Sequence, residues 1–167
     1  RDAAAVRDFF AARLPPHAHE VGGFFGRLYL FQAYCWQALI VQDFLLYYRY
    51  AQRWVDLFEE EPQMRRVETL FYIKGLHNLL LVHFMLRNYP KFDEVLERFE
   101  AFSESSEANA NDNVRVQTFV YLAIARINEH FLKGTFTEGL RLVPVVEAQL
   151  AAWPMQKVAT GGLMNWM

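Results

Sequence analysis

Little in this chain offers reactive chemistry at a single residue. Its 167 residues include one cysteine, Cys35, which excludes an internal disulfide and a cysteine-based zinc site. Cys35 lies among Tyr34, Trp36 and Leu39, a setting for a buried, inert thiol, because a reactive one needs an adjacent base or cation. Charge of one sign is also missing. The formal net charge is −2 and Arg65-Arg66 is the only adjacent basic pair, so no basic face speaks for nucleic acid. No apolar run approaches the roughly 18 residues of a membrane span; the longest aliphatic stretch is 79–82, and His83 ends it. No secretory signal is visible at the start, although the chain opens on Arg1 rather than Met, and the cytoplasm is the expected setting. Only 8 glycines and 6 prolines accompany 53% hydrophobic and 16% aromatic residues, which argues against disorder.

What is present is apolar and periodic. Residues 1–14 read as a helix, Ala-rich with Val6, Phe9, Phe10 and Leu14 at helical spacing. Pro15-Pro16 stops it, and 17–23 forms a connector. Helical segments follow over 24–43 and 44–60, ending at Glu61-Pro62, with the turn between them placed by analogy to the next two. The second hairpin runs 64–86, turns at Asn88-Tyr89-Pro90 and returns over 91–103. Pro90 suits a first helical turn, where its missing N–H costs nothing. The stretch 103–113, built of Ser, Glu, Ala, Asn and Asp with no apolar anchor, reads as a mobile, solvent-facing loop. Asp112 or Asn113 is the expected N-cap of the helix beyond it. The third hairpin spans 114–132, turns at Lys133-Gly134-Thr135 and returns over 136–153. Gly134 suits the left-handed conformation that closes a helix, and Pro144 should kink the return. The tail, 154–167, is too apolar to leave in water. One domain thus holds hairpins at about 24–60, 64–103 and 113–153, with a flanking helix at 1–14.

An aromatic-led run recurs through these hairpins. Tyr50, Trp54 and Leu57 are echoed by Phe92, Leu96 and Phe99, then by Phe136, Leu140 and Val143, at steps of 42 and 44 residues. A period of this length is the signature of stacked helical hairpins, whose units bury one another.

The turns carry a family likeness. Lys91-Phe92-Asp93-Glu94-Val95 followed by Phe99 resembles the second-helix opening of a tetratricopeptide (TPR) repeat, and Gly134-Thr135-Phe136-Thr137-Glu138-Gly139 resembles it too. Arg49-Tyr50 with Leu57 is a weaker copy, with Arg53 where the family has alanine. The period exceeds the family's roughly 34 residues, so the helices are longer. Where paired helices touch, the family's small residue is replaced by Val41, His83 and Ile127. The resemblance covers about 24–153 and implies an all-α fold. Its form would be a right-handed superhelix of antiparallel helical hairpins, a TPR-like α-solenoid of about seven helices. It also implies a concave groove, lined by the first helix of each hairpin, that binds a protein or peptide.

Candidate residues for that groove are Gln37, Lys74, Asn78, Tyr121, Arg126 and Asn128. Lys or Arg can pair with a peptide carboxylate, and Asn can donate to and accept from its backbone at once. Tyr29, Tyr34, Tyr72 and Tyr121 would add contact area. Catalytic patterns are sparse. His17-Ala18-His19-Glu20 sits in a Pro-flanked loop, where a solvated surface outweighs a metal site. His77 and His83, six apart, fall on different helix faces, while His83 and His130 occupy similar places in successive hairpins. There is no glycine-flanked serine elbow, and no phosphate loop or dinucleotide fingerprint. Glu59-Glu60-Glu61 and Asp93-Glu94 are solvated helix-end acids. These features predict a non-catalytic protein- or peptide-binding scaffold with no cofactor and no metal. A ligand- or signal-peptide-responsive regulatory domain is the alternative. The apolar ends suggest a fragment of a longer array, or homo-oligomers formed through them.

Overall fold

In the computed structural model, which describes residues 2–153, every regular element is helical. Eight α-helices run α1 (Ala3–Ala11), α2 (Gly23–Val41), α3 (Phe44–Glu60), α4 (Met64–Val67), α5 (Thr69–Met85), α6 (Tyr89–Ser103), α7 (Asp112–Lys133) and α8 (Phe136–Ala152), with a short 3₁₀ turn at Ala18–Glu20. The class is all-α. The tail 154–167 lies outside the described residues.

The hairpins are α2–α3, α5–α6 and α7–α8, and their turns share one geometry. Each first helix ends on a left-handed residue: Gln42, Arg87 and Gly134, with φ of 59°, 54° and 73°. The next residue's N–H returns five positions, from Asp43 to the Ala38 carbonyl, Asn88 to His83 and Thr135 to His130, each at 2.9 Å. This Schellman closure satisfies carbonyls that the helix end leaves open. Asp43 then caps α3 by accepting from Leu46 N–H at 3.0 Å, and Asn88 caps α6. The left-handed residues of the three turns lie 45 and 47 residues apart, not the 42 and 44 of the aromatic runs. The aromatic runs are therefore not equivalent: Tyr50 lies seven residues past its cap, Phe92 four and Phe136 one.

Two boundaries and one loop differ from the sequence reading. The 64–86 helix breaks at Glu68 (φ −122°, ψ 46°), giving eight helices rather than seven. Thr69 Oγ1 donates to the Arg65 carbonyl at 2.7 Å, taking the acceptor that a continuous helix would offer to a backbone N–H. The N-cap of α7 is Asn111, whose Oδ1 accepts from Val114 N–H at 3.0 Å. The 103–113 loop does have an apolar anchor, the buried Ala108. Asn109 Nδ2 ties the loop down by donating to the Ser103 and Ser105 carbonyls at 3.0 and 2.8 Å. Pro144 lies inside α8, whose helical span continues to Ala152.

The core runs along the helices α2, α3, α5 and α6. α2 packs on α3, α3 on α5, and α5 on both α6 and α7. Trp54, Phe58, Ile73, Leu76, Phe92 and Phe99 are essentially inaccessible, each worth roughly 1.5–3 kcal/mol of transfer free energy. Gly75 lets α5 approach α3, since a Cβ there would sit 3.1 Å from both the Trp54 ring and Val55. Trp54 Nε1 donates to the Phe71 carbonyl at 3.1 Å, so the largest core side chain leaves no buried donor unmet.

Candidate functional site

The first helices of the hairpins supply the site. α2 and α5 are apolar around most of their circumference, and a helix of that kind is normally buried on all sides. α2 is not. Phe25, Tyr29, Trp36 and Ile40 remain 37–53% exposed, and their spacing places them within about 60° of one another around the helix. On α5, Leu70 is exposed and Lys74, His77 and Leu81 are half-buried at matching spacing. Edge contact of Tyr29 with Phe71, ring centroids 5.8 Å apart, links α2 to α5. His77 lies flat on Tyr121 of α7, centroids 4.0 Å apart and planes 4° off parallel.

Lys74, Asn78 and Tyr121 are gathered around that stack, together with His77 and Tyr47. Tyr47 donates its hydroxyl to Asn78 Oδ1, and Asn78 Nδ2 donates to the Lys74 carbonyl at 2.7 Å. Asn78 thus spends one acceptor site and one N–H internally, leaving one lone pair and one N–H of its amide. Burial pushes His77 down from 6.5 to about 4, with the Lys74 charge adding to the effect, so the imidazole is neutral at pH 7. Burial also lowers Lys74 and raises Tyr121 and Tyr47.

The other predicted positions go elsewhere. Gln37 is buried, with Oε1 lacking a partner among the described residues. Arg126 pairs with Glu100 on α6 and with Glu129 at 2.9 Å; five residues past Tyr121, it points about 140° away around the helix. Asn128 is half-buried on α7. Of the tyrosines, Tyr29 is exposed and Tyr72 buried, while Tyr34 donates to the Pro15 carbonyl at 2.9 Å. His77 and Tyr47 were not anticipated. His77 was legible as the residue between Lys74 and Asn78 on the same stripe, but nothing local marks Tyr47, which comes from a return helix.

Side chains of catalytic type have other duties. Burial raises the Cys35 thiol to about 12, leaving it protonated and unreactive at neutral pH. His83 is buried against Tyr48, ring centroids 5.2 Å apart, whereas His130 Nδ1 bonds Thr135 Oγ1 at 2.8 Å. These two histidines therefore take separate partners. Among the described residues no group of three His, Cys, Asp or Glu side chains is placed to hold a metal, and no helix is long and apolar enough to cross a membrane.

No family model, curated protein or solved structure matches the chain.

Proposed function

We propose that this chain is a non-catalytic interaction module, a TPR-like right-handed superhelix. Its first-helix face would bind an amphipathic helix or a peptide segment of a protein partner. The observation that carries the reading is the exposed α2 stripe of Phe25, Tyr29 and Ile40. Large apolar side chains held in water along one helix face are costly and mark interaction surfaces. The neighbouring Lys74, His77 and Tyr121 supply a polar margin on the same side of the hairpins. The rigid helical support limits the ordering cost of binding.

The test is co-purification from the cells that make the protein, comparing wild type with a Phe25→Ser/Tyr29→Ser variant. The expected result is a protein partner retained by wild type and lost by the variant, with helical content unchanged by circular dichroism. The same partners bound by both proteins would remove the reading.

A further inference from the structure

The connector before α2 and the outer side of α3 border a half-open cleft of ≈ 680 Å³, the size of a small organic ligand site. Two features of the sequence meet there: the His17–His19 segment and Arg53, the departure from the TPR pattern. Two acidic side chains line the wall, Glu60 and Asp56. Glu60, with Glu61 beside it, holds Arg27 at 2.8 Å, and Asp56 accepts from Gln52 Nε2 at 2.7 Å. Arg49 and Arg53 both line the cleft, one helical turn apart, and neither has an ion pair among the described residues. Like charges at this spacing repel. Lining the same cleft, the rings of His17 and His19 stack nearly parallel, 11° between planes and centroids 5.2 Å apart.

The cleft is held open by its own contacts. Tyr34 stacks on Tyr50 with centroids 4.4 Å apart and fixes the connector through its bond to the Pro15 carbonyl. Phe31, Tyr50 and Leu57 provide an apolar lining. A metal cation would sit beside two guanidiniums without ion pairs, one of them, Arg53, lying over the Tyr50 ring at 5.7 Å from its centroid, which disfavours it. An oxyanion there meets planar guanidinium forks and imidazole donors.

We infer that this cleft binds a small organic oxyanion. Its phosphate or carboxylate lies beside Arg49, Arg53 and the histidine pair, and its apolar body rests on Tyr50, with the almost wholly covered Phe31 and Leu57 beneath. The inference does not depend on the first-helix face. It is tested by following backbone amide shifts of the intact protein at low salt while adding phenyl phosphate, benzoate or inorganic phosphate. Saturable shifts confined to residues 16–19, 27–31 and 49–57 are expected with phenyl phosphate or benzoate, and the tighter of the two identifies the anion. Affinity should fall at least about tenfold in Arg49→Gln/Arg53→Gln and stay unchanged in Arg141→Gln, an exposed α8 control. Both substituted arginines are exposed, so the melting temperature should hold. Absence of saturable shifts at about 10 mM of every probe, or equal affinity in the double variant, would overturn the assignment.

Discussion

The second and third return helices begin alike and end in different surroundings. Each follows a left-handed residue and the same five-residue backbone closure. Four, eight and eleven residues beyond that closure, α6 carries Phe92, Leu96 and Phe99, none more than 2% exposed. At the same distances α8 carries Gly139, Val143 and Val146, and Val143 is 38% exposed. Phe136, Leu140 and Val145 on α8 are also exposed. Composition does not explain the contrast, because both helices are rich in apolar residues. Position does: α7 lies against α6 as α5 lies against α3, whereas α8 packs chiefly on α7. In a stack of hairpins, a return helix is covered by the first helix of the unit that follows.

The largest expected effect breaks the contrast at its centre. Phe99→Ala should cost about 3–5 kcal/mol, as a buried aromatic leaving a cavity, while Val146→Ala at the matching place on α8 should cost less than about 1 kcal/mol. Urea unfolding of the two variants measures both, and equal losses would dissolve the comparison. A smaller effect reports the seam between the second and third hairpins, where His77 lies on Tyr121. His77 titrates near 4 when folded against 6.5 ordinarily, so the unfolded chain takes up the proton first. This contribution is complete above pH 6.5 and is lost as pH falls toward 4. Partial accessibility reduces it to about 2 kcal/mol. His77→Phe should flatten that part of the stability–pH curve; an unchanged slope would mean the ring is not sequestered.

The smallest effects test whether the turns are equivalent. Gln42→Gly and Arg87→Gly should each stabilise by about 0.5–1 kcal/mol, by relieving a left-handed side-chain residue, and Gly134→Ala should cost about 1 kcal/mol. Thermal melts of the three variants decide it. Opposite signs at equivalent positions are the signature, and losses at all three would show that Gln42 and Arg87 hold needed contacts instead.

Much of the helix layout was legible because its breakers are chemical. Pro15-Pro16, Asn88, Pro90 and Gly134 mark ends by backbone rules that apply locally. The turn at Gln42 was placed only by analogy, since a glutamine there carries no such signal. The break at Glu68 depended on a threonine hydroxyl competing for a carbonyl, which residue identity alone does not announce. Register misled most. An apolar pattern with a 3.6-residue period nearly matches itself after a shift of three or four residues. Aligning aromatics across hairpins therefore left the copies out of step with their turns. At the candidate site, Lys74 and Asn78 were legible as an i, i+4 pair. The burial of Gln37 was not legible, because helical phase within the mostly apolar α2 has few polar landmarks, and the pairing of Arg126 with Glu100 depends on α6 lying beside α7.

Local chemistry in the sequence thus determined an all-α chain of helical hairpins, the place of most turns and a buried, unreactive Cys35. Tertiary structure alone decided which apolar faces are covered, because burial depends on which neighbour arrives. It likewise set Tyr47 against Asn78, laid His77 on Tyr121 and brought His17 and His19 to line one cleft with Arg49 and Arg53. Each of those encounters joins side chains from separate elements, and no local preference of either segment specifies the meeting.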